Sequence, residues 1–141
     1  MKKLLAILFI TSFSLAGYAQ NNPYKIKLNI KGMHDSTCYL ISYFGNQRYY
    51  KDTAVFNKNG VVIFSGNKQL ESGIYGVYTG GKVLFELVVA EPDIEMTTDT
   101  NNFIKDMVVN KSQENKIFMN HLKYATPKQQ QSLKLQKEYN D

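Results

Sequence analysis

Eight consecutive residues, Tyr24-Lys25-Ile26-Lys27-Leu28-Asn29-Ile30-Lys31, alternate apolar and polar without a break. Period two places Tyr24, Ile26, Leu28 and Ile30 on one side of an extended chain and Lys25, Lys27, Asn29 and Lys31 on the other. A strand of this kind needs a core on one face and water on the other, which commits the chain to a sheet packed against a second layer. The segments that follow keep to the same vocabulary. Thr37-Cys38-Tyr39-Leu40-Ile41-Ser42-Tyr43 is apolar on both faces, with tyrosines marking one of them. Residues 48–56 are rich in β-formers around a polar middle, Lys51-Asp52. Asn57-Lys58-Asn59-Gly60 reads as a hairpin turn into Val61-Val62-Ile63-Phe64-Ser65, because Asn-Gly supplies the positive φ of a tight turn. Residues 74–79 and 82–89 form a second hairpin through Gly80-Gly81, with Val83, Phe85, Leu87 and Val89 on one face and Glu86 opposite. Ile94-Glu95-Met96-Thr97 and residues 105–109 are shorter strands. Strands at this spacing, broken by Gly, Asn and Asp, predict a mainly β chain: an antiparallel β-sandwich, or a partly open barrel, followed by a C-terminal helical segment.

The period changes after Asn110. Ser112 can cap a helix, with Glu114 in its first turn. Phe118, Leu122 and Ala125 recur at helical spacing, with Ile117 and His121 beside them. Thr126-Pro127-Lys128-Gln129 reads as a fresh helix start, with Thr as cap, Pro at the first position and Gln closing a capping box. The last stretch, residues 130–141, is polar, with Leu133, Leu135 and Tyr139 as its large apolar groups.

The first nineteen residues have a different character. Lys2 and Lys3 precede an apolar run over residues 4–15, and Gly17-Tyr18-Ala19 offers small residues at the −3 and −1 positions of a cleavage site. This is the pattern of a secretory leader cut after Ala19. The run is shorter than the roughly 20 apolar residues that span a bilayer. The expected layout is therefore a leader at 1–19, a sandwich domain at 20–110 and a helical connector at 111–141. The expected location is the periplasm or the exterior, with no membrane span once the leader is removed. Losing Lys2 and Lys3 lowers the formal charge of +5 by two. The remaining lysines are scattered, and several sit on one strand face, so no basic stripe marks a nucleic-acid partner.

Candidate chemistry is sparse. The single cysteine, Cys38, cannot form an intramolecular disulfide, and no second Cys completes a C-x-x-C. Its place in a strand reads as a small buried hydrophobe. His34 and His121 lack any metal-ligand spacing and read as a turn residue and a helix-flank residue. Glu86, Glu91, Asp93 and Glu95 gather near one strand end, where two carboxylates would make an acid–base pair, or all four would be solvated turn residues. Tyr39, Tyr43, Phe44, Tyr49, Tyr50, Tyr75 and Tyr78 crowd the sheet, either as buried area and cross-strand pairs or as a ligand-gripping patch. The sequence nominates no catalytic, metal-binding or cofactor-binding residue and points away from an enzyme, since no nucleophile–base pair is visible.

Several segments resemble a known domain. These are the leader ending in Ala-Gln, the opening strand Tyr24–Lys31 with Gly32, Cys38-Tyr39-Leu40, and the stretch Tyr43-Phe44-Gly45-Asn46-Gln47-Arg48-Tyr49-Tyr50-Lys51-Asp52-Thr53-Ala54. Gly60-Val61-Val62-Ile63-Phe64-Ser65-Gly66, Gly73-Ile74-Tyr75, Phe85-Glu86-Leu87-Val88-Val89 and Lys111-Ser112-Gln113-Glu114-Asn115 belong with them. Together they resemble the N-terminal domain of envelope thioredoxin-like proteins of the TlpA/ResA type from Gram-negative bacteria. The resemblance implies a β-rich domain of unknown function, joined through a helical connector to a thioredoxin fold that carries the C-x-x-C. This chain reads as cut short before that thioredoxin domain, so the resemblance carries over no catalytic residue. The expected function is that of a non-catalytic accessory or docking domain of a thiol–disulfide oxidoreductase in envelope redox homeostasis. Its expected partners are the thioredoxin-fold domain in cis, an envelope protein, or a second copy of the chain. The alternative is a free-standing sandwich that binds a glycan or peptide through exposed aromatics or a sheet edge.

Overall fold

The computed structural model describes residues 24–140; the expected leader lies outside them. Eight strands form two four-stranded sheets. They are β1 (Tyr24–Lys31), β2 (Thr37–Phe44), β3 (Gln47–Val55), β4 (Val61–Gly66), β5 (Gly73–Thr79), β6 (Lys82–Val89), β7 (Asp93–Asp99) and β8 (Val108–Lys111), followed by one helix, α1 (Gln113–Asn140). Sheet A has the order β4-β1-β7-β8 and sheet B the order β3-β2-β5-β6. The expected sandwich is the observed fold.

The alternation of β1 sets the core. Tyr24, Ile26, Leu28 and Ile30 are all buried, facing the interior with Val62 and Phe64 from β4 and Ile94 and Met96 from β7. Sheet B contributes Cys38, Leu40, Tyr75, Val77, Phe85, Leu87 and Val89. One pairing departs from the antiparallel expectation. β1 and β7 run parallel, in register from Lys25 opposite Asp93 to Lys31 opposite Asp99. Parallel neighbours need a long crossover, and here the crossover is the whole of β2 to β6.

The turn at residues 57–60 also differs from its sequence reading. Its local bonding is that of a tight turn: the Asn57 side chain accepts from Asn59 N at 2.9 Å and Val61 N at 3.0 Å, and Gly60 N donates to Asn57 O at 3.0 Å. Yet β3 pairs with β2 and β4 pairs with β1, so the turn carries the chain from one sheet to the other rather than closing a hairpin. The Gly80-Gly81 turn does close the β5–β6 hairpin, with φ of 56° and 81° at its two glycines, as a type I′ turn requires. A bulge at Leu84 puts Val83 opposite Tyr78, on the outer face, and Leu84 packs on the core in its place. The last strand begins later than expected, at Val108, because residues 101–106 are tied into a turn by Asn102, whose side chain accepts from Lys105 N and whose carbonyl accepts from Asp106 N.

The helix fills the open side between β6 and β8. Ser112 caps it, its hydroxyl oxygen accepting from Asn115 N at 3.1 Å, and the Glu91 carboxylate accepts from Gln113 N at 2.9 Å. Hydrogen bonds from the Ser112 hydroxyl and from those first helical amides hold the Glu91 carboxyl below its ordinary value. Asn115 is fully buried, and its carboxamide accepts from Val88 N at 2.8 Å and donates to Val88 O at 2.7 Å. It thus occupies the free edge of β6 as a strand would. The helical stripe is rotated from the sequence reading: Met119 and Asn115 are buried, Phe118 and Leu122 are half-buried, and Ile117 is exposed. The helix does not restart at Thr126. It runs unbroken through Pro127, and Pro127 and Lys123, whose carbonyl has no helical donor there, are both at exposed positions. Every residue from 127 to 140 is exposed.

Candidate binding surface

The residues with reactive potential are dispersed by the fold. His34 lies in the β1–β2 turn and His121 on the exposed side of α1. Among the described residues no group of three or more His, Cys, Asp or Glu is placed to hold a metal ion. Cys38 is fully buried in the core, and burial pushes its thiol up to about 12, so it remains protonated. The four carboxylates near the β6–β7 connection do not converge. Glu91 caps the helix, Asp93 pairs with Lys111, Glu95 pairs with Lys27 at 3.0 Å, and Glu86 faces outward from sheet B beside Tyr43. The solvated reading suits them better than an acid–base pair, and each also has a structural task.

The aromatic residues separate into two groups. Tyr75 leaves the surface: it is buried, with its hydroxyl donating to Glu71 O at 2.8 Å. Tyr24, on the first strand, likewise donates to Asp52 Oδ2 at 2.6 Å. The others gather on sheet B. On its outer face Tyr39, Tyr50 and Tyr78 come from three adjacent strands, with ring centroids 5.0 Å apart for Tyr39–Tyr50 and 6.2 Å for each contact with Tyr78. The rings meet edge-on or tilted, the favourable geometry for aromatic pairs.

A second layer of packing lies beneath these rings. Ile41 is 1% exposed but does not belong to the central core. Its neighbours across the strands are Tyr50 and Gly76. Gly76 has no side chain for a reason: a Cβ there would stand 2.6 Å from the Tyr43 hydroxyl and 3.0 Å from Ile41 Cγ1. The bare strand lets Tyr43 reach across β5 to Glu86 on β6. Burial, and then the Glu86 carboxylate, push the Tyr43 hydroxyl up to about 12. Sequence reading misses this arrangement because it needs three strands in register; the isolated Gly76 within a β pattern was its one visible sign.

At the β2–β3 end the surface opens. Phe44 is 79% exposed and Tyr50 63%. A groove of about 340 Å³ there is lined by Tyr43, Phe44, Tyr49, Lys51, Glu71 and Ile74. Its lining combines aromatic faces with one lysine and one carboxylate.

Comparison with known proteins places the chain in a class. Residues 24–118, from the first strand to the second turn of α1, match the model of a family described as Domain of unknown function (DUF4369), and the chain belongs to that family. No curated protein matches it, and no solved structure does. Among the described residues no helix is long and apolar enough to cross a membrane.

Proposed function

We propose that the chain is a non-catalytic docking domain of an exported thiol–disulfide oxidoreductase of the TlpA/ResA type, and that it holds its partner on the outer face of sheet B. The observation that carries this reading is the aromatic surface of Tyr39, Tyr43, Tyr50 and Tyr78 on the outer face of a rigid sheet, with Tyr50 63% exposed. Rigid tyrosines supply large contact area at low entropic cost. Two further features support it. The one thiol is sealed in the core and protonated, so reducing chemistry falls to the partner. The outer half of α1 extends beyond its packed turns with every residue exposed, as a connector to a neighbouring domain would.

The partner in this reading is a thioredoxin-fold domain carrying C-x-x-C, in an envelope compartment. Calorimetric titration of the purified protein with such a domain tests it. Binding that weakens by about tenfold or more in Tyr50→Ala and Tyr78→Ala supports the proposal, since truncating an aromatic anchor costs at least that much at a real interface. Absence of binding, or equal binding by both variants, sinks it. Binding of a glycan or a free peptide at the same rings would transfer the surface to a free-standing binding protein.

A further inference from the structure

A second site lies at the opposite character of surface, where three loops meet at one end of the sandwich. An open depression of about 530 Å³ is lined by Asn29 and Lys31 from β1, Met33 and His34 from the β1–β2 turn, and Lys58 and Asn59 from the β3–β4 turn. Its lining residues include two lysines, a histidine and two carboxamides, and no carboxylate. Lys31 contacts Asp99 only at 3.8 Å, and its side chain is 85% exposed. That geometry leaves its ammonium donors available. Lys27, in contrast, is held by Glu95 at 3.0 Å.

The depression is built rather than incidental. Ile30 N donates to Gly60 O at 2.8 Å, and Thr100 N donates to Lys31 O at 3.1 Å, so the end of β1 is bonded through backbone groups to the β3–β4 turn and to the loop after β7. Gly60, at φ 76°, approaches so closely that a Cβ would stand 2.3 Å from Ile30 O and 3.0 Å from Met33 O. Gly32, at φ 91°, has the same relation to Thr100 Oγ1, at 2.5 Å. The end of β1 and the β3–β4 turn, 27 residues apart from Lys31 to Lys58, are thereby fixed with those two lysines lining a common space. Two lysines and two carboxamides around one depression, with the Asp99 carboxylate 3.8 Å from Lys31 and outside the lining, make a donor set suited to an anion.

We infer that this depression binds an anionic group, a phosphate or a carboxylate, between Lys31 and Lys58, with the Asn29 and Asn59 carboxamides giving further hydrogen bonds. It is separate from the aromatic face and does not depend on the docking role. Amide spectra of the ¹⁵N-labelled protein, titrated with inorganic phosphate and separately with acetate at ionic strength held constant by sodium chloride, test it. The expected result is saturable movement of the amides of residues 31–34 and 58–60. Tighter saturation by phosphate assigns the site to phosphate-bearing ligands; equal or tighter saturation by acetate assigns it to carboxylates. Lys58→Gln should weaken binding by about tenfold, the effect of removing one hydrogen bond from a charged donor. Lys25→Gln, on the same sheet but outside the depression, should leave it unchanged. Movement that chloride alone reproduces, no saturation with either anion, or equal affinity in wild type and Lys58→Gln overturns the inference.

Discussion

Sheets A and B each turn one face inward and one outward, and the two outward faces have opposite chemistry. On sheet A the parallel register of β1 and β7 sets lysines against carboxylates: Lys27 meets Glu95 and Lys31 meets Asp99, while Asp93 is taken by Lys111 from β8. Ile63 on β4 interrupts this charged surface. Such a face is at home in water and gains little from being covered. On sheet B the corresponding positions are Tyr39, Ile41, Tyr43, Tyr50 and Tyr78, with Gly76 left bare where Tyr43 and Ile41 pack over its strand. One outward face pairs its charges across strands; the other forms a thin second core and still leaves Tyr50 open to solvent. Two sheets with the same strand count thus present different outward chemistry, one charged and the other aromatic.

The largest effect should come from the site where the two faces differ most. Ile41→Ala should destabilise the fold by about 2–5 kcal/mol, the cost of emptying a buried aliphatic site. Lys27→Ala, also outward but on sheet A, should cost less than about 1 kcal/mol. Denaturant unfolding of the two variants checks both, and equal small losses would mean that sheet B has no outer packing. Gly76→Ala should follow, at about 1–3 kcal/mol, because the added methyl displaces Tyr43 and Ile41. Near-ultraviolet circular dichroism should register the shift of the tyrosine. A double-mutant cycle on Lys27 and Glu95 should give a coupling of about 0.2–1 kcal/mol that shrinks in high salt.

The smallest effect is in the alkaline limb of stability. Tyr43 ionises at about 12 in the folded protein against an ordinary 10.0. Between those values the unfolded chain binds fewer protons than the folded one, so stability falls as pH rises through the interval. Below pH 10 the contribution is fully present. Tyr43→Phe should therefore show a shallower loss of stability from pH 10 to 12 than the wild type, measured by denaturant unfolding across that range. An unchanged slope would separate Tyr43 from Glu86.

Much of the fold was legible because period two is local. The alternation of Tyr24–Lys31 identified a strand and its buried face correctly, and Gly80-Gly81 identified its turn. What escaped depends on partners distant in sequence. Nothing in Lys25–Lys31 says that Asp93–Asp99 will lie alongside it in parallel. The Asn57 turn has the same local bonds whether its strands pair or part, so its role as a crossing between sheets was hidden. Asn115 looked like an ordinary polar residue in a first helical turn, yet it seals the edge of β6 through Val88. Pro127 resembled a helix start because its residue types fit a capping box, but an exposed proline is also tolerated within a helix already anchored upstream. Of the candidate surface, the tyrosines were visible as a crowd; their division into the buried Tyr75 and the outward Tyr39, Tyr50 and Tyr78 required the strand order.

The central claim is that the outer face of sheet B, and not that of sheet A, engages a partner domain. Hydrogen exchange of the backbone amides, with and without a C-x-x-C thioredoxin-fold domain of the TlpA/ResA type, measures this directly. The account predicts added protection along β2 and β3, around Tyr39 and Tyr50, with β1 and β7 unchanged. Protection confined to β1, β7 and the Lys27–Glu95 surface, or none on either sheet, would contradict it.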